Sequence, residues 1–357
     1  MIDIKPYFHA LEHCAFKSEN TKGRRFIESE EILGVDPFVM DLNRIRNSKA
    51  YRRLGNKTQV FSSKIKGPYI RTRLSHTAEV NVNALILSDF LGLNNNLVAA
   101  QTEAHDIGHV VMGHLGEKFI SKKGGLVFKH NINSSYVLEY LERYDSVFDK
   151  NNGLNLSYET HEGINNHSRG NSVFVGLDNT TQETTMSMIN DKIGYVPADY
   201  LDCRNAGYID VEPKCFLALG KNQRERIKNC NEALIKESAE KGFVSFNTSK
   251  TAEIFMECKD FMYKIYNKID KKESGFYRKK LSKVYSALQK NKSLASYNPI
   301  LLFIMMVEED IDYLVEKSFI TQADLESTSL KHVLRNIKAV DKSIPIGTFD
   351  INLCCYK

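Results

Sequence analysis

Apolar positions recur along this chain at intervals of three and four residues far more often than they alternate, and that pattern predicts helices. Val80, Ala84, Leu87 and Leu91 mark an amphipathic helix that starts near His76 and stops near Gly92. Leu97, Ala100, Ala104 and Ile107 form a second stripe with Asn95 or Asn96 as its cap, and this helix is expected to run on through His105-Asp106-Ile107-Gly108-His109. Upstream, Asp41 is the expected cap of a helix through Arg44, Ile45, Ala50, Tyr51 and Leu54, broken by Gly55 and Asn56. Asn56 to Arg73 reads as extended or looped. Further helical patterns cover Asn131 to Tyr144, Gln182 to Tyr208, Asn222 to Glu237, Thr251 to Ile269, Gly275 to Lys290, Pro299 to Lys317 and Thr321 to Asn336. The stretch Asp149 to Thr180, rich in Asn, Gly, Ser and Thr, reads as a long connection, and Ile344 to Tyr356 as a short strand or two.

The expected fold class is therefore all-α. No stretch rich in Pro, Gly or Ser divides the chain, so the reading is a core over residues 1–220 with a mostly helical C-terminal region over 221–357 packed on it. A length of 357 residues with 42% hydrophobic and 26% charged content suits a globular protein with a sizeable core. The net charge of +5, with acidic residues interleaved, permits an anionic ligand and argues against a polybasic tail. Seven cysteines without a C-x-x-C pair suit reduced thiols and hence a cytoplasmic compartment. The N-terminus lacks a signal-peptide pattern. The longest apolar run, Ile300 to Val307, falls far short of the roughly 20 residues that span a bilayer, so no membrane partner is expected.

The strongest local sign of chemistry is His105-Asp106, with His109 four residues beyond His105 and on the same face of the expected helix. Imidazole and carboxylate suit Mn, Fe, Ni, Zn or Mg, although the pair alone fits an exposed helix surface or a hydrogen-bonded core histidine equally well. His76 begins the preceding helix, and a helical hairpin would bring it beside His105. Asp191 opens a third segment, Asp191-Lys192-Ile193-Gly194-Tyr195-Val196-Pro197-Ala198-Asp199.

One histidine, then a His-Asp pair, then a remote aspartate resembles the ligand order of the HD phosphohydrolase superfamily. The run from Asp41 to Phe61 resembles the N-terminal signature of the deoxynucleoside triphosphate triphosphohydrolases, its dGTPase-like branch. The similarity continues through Thr72 to Val80, Ala104 to Glu117, Phe128-Lys129-His130-Asn131 and Leu154 to Gly163, to Asp191 and Asp199. This resemblance implies an HD-domain helical core that hydrolyses a deoxynucleoside triphosphate to deoxynucleoside and inorganic triphosphate by attack at the α-phosphorus. It assigns His76, His105, Asp106 and Asp191 as ligands of a divalent cation, Mn or Mg first, with Fe, Co, Ni or Zn also compatible. His114 and Glu117 match a His-acid pair beside the α-phosphate, with His130 as a second contact to phosphate or acid. Gln59 and Arg73 match nucleotide contacts, His109 and Lys192 phosphate contacts, and Tyr195 and Asp199 the groups that face the sugar 3′-hydroxyl. A homo-oligomer and a nucleotide effector at a subunit boundary are further implications; single-stranded nucleic acid is not indicated. The chain departs from the family at Val110-Val111-Met112-Gly113-His114, where Pro-Pro-Phe-Gly-His is usual: the spacing to His114 is kept and the prolines are absent. Pro197 falls between Tyr195 and Asp199, so the helix there is expected to bend or restart.

The remaining candidates have plainer readings. His9, His13, His161 and His167 are read as surface or structural, the latter two with the option of lining a site entrance. Arg52 and Arg53 are read as structural ion pairing or subunit contact ahead of catalysis, Arg24-Arg25 and the lysines from Lys264 to Lys283 as solvated faces. Phe255, Phe261, Tyr263 and Tyr266 are read as core rather than a base-stacking platform. Two rival functions share these residues: an HD-type nucleotidase or phosphodiesterase acting on another nucleotide phosphate, and a noncatalytic nucleotide or nucleic-acid binding protein.

Overall fold

The computed structural model describes residues 4–26, 34–60, 70–143, 153–168, 174, 176–353 and 356. Among them are fifteen α-helices and no strand beyond an isolated antiparallel bridge, Thr58 to Thr72. The all-α expectation holds. In chain order the helices are α1 Pro37–Asn47, α2 Lys49–Arg53, α3 Arg73–Leu91, α4 Asn95–Ala104, α5 Gly113–Gly124, α6 His130–Tyr136, α7 Tyr158–Asn166 and α8 Gln182–Asn205. They continue with α9 Lys214–Leu219, α10 Gln223–Lys241, α11 Lys250–Lys290, α12 Pro299–Met305, α13 Glu308–Leu314, α14 Gln322–Glu326 and α15 Leu334–Ala339. No helix among the described residues is long and apolar enough to cross a membrane.

The local chemistry of helix ends explains where the boundaries differ from the sequence reading. Asp36, not Asp41, caps α1: its Oδ1 accepts from the amides of Phe38 and Val39, and Pro37 at the first helical position presets the backbone angle. Asp41 is buried within α1, where its carboxylate accepts from Arg24, Ser157 and Thr160. Arg24 is correspondingly buried rather than solvated, and it also donates to the carbonyls of Pro37 and Asn155. Thr72 and Ser75 form a capping box, so α3 starts at Arg73. Asn94 rather than Asn95 or Asn96 caps α4, which ends at Ala104 instead of continuing through His109.

The supposed long connection contains α7, a buried helix. Its missing expectation has a cause: the polar residues Glu159, Thr160, His161 and Glu162 are all buried and bonded, so no apolar stripe betrays it. Conversely, the two patterns on either side of Gly275 are one helix of 41 residues, α11, because Ile269, Glu273, Tyr277 and Leu281 follow at four-residue steps on a buried face. Val307, whose amide donates to Asp310, splits the pattern from Pro299 into α12 and α13. Thr321 to Asn336 divides into α14, a short 3-10 turn at Ser329–His332 and α15. Pro197 does not restart the chain; α8 is continuous through it. The described part of Ile344 to Tyr356 forms a 3-10 turn at Ile351–Leu353 instead of a strand. Phe61, Cys354 and Cys355 lie outside the described residues.

Two hydrophobic clusters fill the interior. The first gathers Phe38 and Ile45 of α1, Ala100 and Ala104 of α4, Tyr136 of α6 and the apolar residues of α12 and α13. The second gathers Ala84, Leu87 and Leu91 of α3, Ile189, Ile193 and Val196 of α8, and Leu234 of α10. α11 enters both, through Phe255, Met262 and Ile265 on one side and Tyr277, Leu281 and Val284 on the other.

Candidate functional site

α3 and α4 are joined by only three residues and form a hairpin, which sets His76, on the first turn of α3, against His105, immediately after α4. α8 packs across both and presents Asp191, Tyr195 and Asp199 at four-residue intervals on one face. His76 Nε2 lies 3.3 Å from Asp191 Oδ1, and His105 Nε2 lies 3.5 Å from both Asp191 Oδ1 and Asp106 Oδ1. Donor atoms about 2.1 Å from a shared ion sit roughly 3.0–3.4 Å apart in octahedral or tetrahedral geometry, so this spacing fits a divalent cation. The tautomer of His105 fits too. Its Nδ1 is 2.6 Å from the Thr102 carbonyl, which can only accept, so Nδ1 carries a proton and Nε2, which faces the Asp106 and Asp191 carboxylates, is the atom that would meet a cation.

The electrostatics are those of a site built for a positive charge. Burial works against ionising Asp106 and Asp191, yet both are held well below the usual carboxylate range, Asp106 chiefly by His105, His109 and Arg73, Asp191 chiefly by Lys192 and His105. Burial also opposes a charge on His105, but Asp106 and Asp191 outweigh it and raise that imidazole to about 9. A cation entering here displaces a proton, so its binding strengthens as pH rises.

A second group adjoins the first. His109 is not on a helix with His105; it follows a turn, with its Nε2 3.2 Å from Asp106 Oδ1 and its Nδ1 3.3 Å from Glu117 Oε1. Burial, then the charge of Arg73, lowers His109 to about 4, so the ring is neutral at physiological pH. Glu117 also receives His130 Nδ1 at 2.9 Å and faces His114 Nδ1 at 3.5 Å. The pairing expected for His114 and Glu117 is thus a carboxylate shared by three imidazoles, two of them stacked, with His109 and His130 centroids 3.9 Å apart. His114 stands in the mouth of the site with 68% of its side chain exposed. The segment before it is ordered without prolines: Val110 and Val111 are buried, Met112 adopts φ 62°, and α5 starts at Gly113.

These groups line one end of a cavity of about 880 Å³. Arg73 and Lys192 enter it already paired: Arg73 Nη1 is 2.8 Å from Asp106 Oδ2, and Lys192 Nζ is 3.0 Å from Asp191 Oδ2 and 2.5 Å from the His167 carbonyl. Gln59 lines the cavity with its Oε1 buried and unpartnered, while its carbonyl faces Arg73. The far wall is aromatic. Tyr195 is joined there by Tyr263 and Tyr266 of α11, and the Tyr266 hydroxyl donates to Asp199 Oδ2 at 2.6 Å. Burial raises Asp199 to about 7 and pushes Tyr195 and Tyr266 well above the usual phenol range.

All thirteen residues singled out from the sequence lie in or beside this one cavity. Three that line it had plainer readings. His167, read as surface or structural with the option of lining a site entrance, does line the cavity: its ring is 5.0 Å from that of His105, its Nδ1 donates to the Ile164 carbonyl, and its buried Nε2 has no partner among the described residues. Tyr263 and Tyr266 were expected in the core; an aromatic pair three residues apart on a helix carries no signal that separates a cavity wall from a core. The other plain readings fare variously: His161 is structural, bonded to Ser135 and Glu139, and Arg53 is half-buried, donating to the carbonyls of Ile107 and Ile304.

No family model matches the chain. Curated relatives do. A deoxyguanosinetriphosphate triphosphohydrolase-like protein of Clostridium tetani is 36% identical over 256 residues, 69% of this chain and 70% of that protein. One of the same description from Caldanaerobacter subterraneus subsp. tengcongensis is 37% identical over 245 residues, covering 67% and 68%. Another from Desulfatibacillum aliphaticivorans is 32% identical over 262 residues, covering 71% and 72%. Identity at this level over more than two thirds of both chains, on an all-α frame that clusters buried His and Asp side chains, places this chain in the dGTP triphosphohydrolase-like family of HD-domain proteins.

Proposed function

We propose that the protein hydrolyses deoxynucleoside triphosphates to deoxynucleoside and inorganic triphosphate, by attack at the α-phosphorus. The observation that carries this reading is the polarity of the cavity: a cation site and a carboxylate with three imidazoles at one end, a buried carboxylate with three tyrosines at the other. A phosphate chain suits the first end and a nucleoside the second. When held by His76, His105, Asp106 and Asp191, a divalent cation lowers the pKa of a bound water and withdraws charge from phosphate oxygen; two carboxylates among four donors favour Mn or Mg.

The chain's own residues divide the remaining work. Arg73 and Lys192 offset phosphate charge, and each is within reach of the phosphate end because it is tethered to a carboxylate of the cation site. His114, raised above its ordinary value by its bond to Glu117, is suited to hold a proton for the departing 5′-oxygen at neutral pH. His130 shares Glu117 and backs the same transfer. His109, neutral, binds phosphate by donation rather than charge. Asp199, aligned by Tyr266, accepts the sugar 3′-hydroxyl, and Tyr195 covers the ring where a 2′-hydroxyl would otherwise sit. Free thiols at Cys14, Cys203, Cys215, Cys230 and Cys258 support the accompanying proposal of a cytoplasmic location.

Incubation with each of the four dNTPs and Mn or Mg, with products resolved by ion exchange, tests the reading. Deoxynucleoside and triphosphate are expected in equal amounts. Monophosphate with pyrophosphate, or no turnover of any dNTP, overturns it.

A further inference from the structure

The segment from His105 to Met112 carries three of the site's side chains, yet it belongs to no helix, since α4 ends at Ala104 and α5 begins at Gly113. Its residues are buried, and local turns satisfy only part of its backbone, through the Ile107 amide on the Ala104 carbonyl, the His109 amide on the Asp106 carbonyl and the Gly113 amide on the Val110 carbonyl, so other peptide groups need partners from outside. Ser134 Oγ lies 2.7 Å from the His105 carbonyl and accepts from the Gly108 amide at 2.8 Å, and Asn133 donates to the Gly108 carbonyl at 2.7 Å. The second half is held by charged side chains. The ammonium of Lys57 donates to the His109 carbonyl, and Glu308 Oε1, on α13, accepts from the Met112 amide at 3.1 Å.

Lys57 and Glu308 are almost wholly buried, 1% and 2% exposed. Burying such charges is costly before compensation, and an apolar pair of the same volume would pack at least as well. Glu308 Oε2 also lacks a hydrogen-bond partner among the described residues. Met112, meanwhile, stands at φ 62° and Gly113 at φ 51°; the left-handed conformation is strained for a non-glycine residue and persists only where surroundings impose it. Met112 is two residues before His114, so its backbone fixes where α5 starts and where His114 and Glu117 stand.

We infer that Glu308 is a positioning residue which, with Lys57, clamps the two ends of the His109–Met112 segment and so aims His114 and Glu117 into the cavity. A helix from the C-terminal third thereby sets the geometry of a proton-transfer pair in the first third. The kinetic part of this inference rests on the hydrolytic reading above; the structural part does not.

Glu308→Gln keeps an oxygen that accepts the Met112 amide, whereas Glu308→Met keeps the volume and removes the acceptor. The double variant Lys57→Met/Glu308→Met removes the acceptor without leaving a lone buried charge, and serves where the single variant fails to fold. With dNTP as substrate, Glu308→Met and the double variant should lower kcat about 10- to 100-fold while KM stays within about threefold, as misplacement of a reacting group by an ångström does; Glu308→Gln should restore most of the loss. Hydrogen–deuterium exchange on the full-length protein without nucleotide gives the second readout: residues 110–117 lose protection in the Met variants, keep it in Glu308→Gln, and peptides from α3 and α8 are unchanged. Unaltered exchange at 110–117 in the Met variants overturns the clamp, and so does a kcat that they leave intact. A wild-type protein inert toward every dNTP, with the exchange pattern as described, overturns the hydrolytic reading and leaves the clamp standing.

Discussion

Replacing Asp199 by Asn should make the protein more stable at alkaline pH while impairing it as an enzyme. Asp199 is buried, its Oδ2 accepts the Tyr266 hydroxyl, and its Oδ1 has no hydrogen-bond partner among the described residues. Burial raises its carboxyl from the ordinary 3.8 to about 7. The unfolded chain therefore releases this proton more readily than the folded one, so the stabilisation is complete below pH 3.8 and is lost as pH rises toward 7. At 1.36 kcal/mol per unit, the penalty is about 2 kcal/mol at pH 5 and about 4 kcal/mol at pH 8. Asn carries no such penalty. Its amide left unpaired costs about 1–3 kcal/mol, but equally at both pH values, so it cancels from the comparison. The stability of Asp199→Asn relative to wild type should thus improve by about 2.5 kcal/mol between pH 5 and pH 8, about 3 °C in Tm for a chain of this length. Urea and thermal unfolding of both proteins at the two pH values measure it. A stability difference that does not change with pH would refute the argument that this carboxylate is held in an environment hostile to charge. In the same variant kcat/KM for a dNTP should fall about 10- to 100-fold, the worth of one hydrogen bond to a charged acceptor.

Three further outcomes follow from other parts of the structure. Burial would raise Glu237, but Ser245, Lys241 and the amides of Asn247 and Ser249 hold it down to about 2, so its contribution is present above pH 4.5 and lost as pH falls through 2; Glu237→Gln should cost roughly 2 kcal/mol at pH 7 after allowance for solvent screening and about two fifths less at pH 3.5, and equal urea midpoints for variant and wild type at pH 7 would contradict this. At Gly108 a Cβ would lie 2.1 Å from the Ser134 amide nitrogen and 2.2 Å from the His130 carbonyl oxygen, both backbone; Gly108→Ala should lose about 3 kcal/mol or more, and an unchanged melting curve would show that α6 can move aside. Wild-type protein with Mn at 100 times its Kd should gain about 2.7 kcal/mol, roughly 3–4 °C, over protein in EDTA. Asp191→Asn should abolish that shift and the bound Mn measured after equilibrium dialysis, whereas a retained shift would place the cation elsewhere.

Part of the candidate cation site was legible because His76 and Asp191 sit on periodic helices, whereas His105 and Asp106 follow α4 in a turn. Val80, Ala84, Leu87 and Leu91 fix the face of α3, so the place of His76 follows, and the short link to α4 dictates a hairpin. Asp191 and Asp199 came from the resemblance instead, since Pro197 concealed the continuity of α8 that sets them two turns apart. What escaped the sequence was satisfied by tertiary contacts. Asp41 looks like a helix cap because aspartate usually serves as one; it is buried because Arg24, Ser157 and Thr160 converge on it from distant segments. α7 hides because its buried face is polar. For His167 a place at the site entrance was one of the readings, but nothing in its neighbourhood repeats, and only the fold brings it within 5.0 Å of the His105 ring. Glu308 fell inside the single helical pattern read from Pro299 to Lys317, and nothing in the sequence ties it to its partner, a peptide nearly two hundred residues earlier.

The length of α11 bears on how such a protein can diversify. Forty-one residues at about 1.5 Å each make a rod of about 60 Å. It supplies Tyr263 and Tyr266 to the far wall of the cavity, and both of its ends are anchored in apolar clusters by other faces. Every side chain of the cation site, by contrast, comes from α3, α8 and the turn after α4. Mutations on the inward tyrosine face of α11 can therefore remodel what the cavity admits without moving a single donor to the cation. On the hydrolytic reading proposed above, part of the ligand preference thus sits on a helix that carries no donor of the candidate cation site, while Tyr195 and Asp199 share α8 with Asp191.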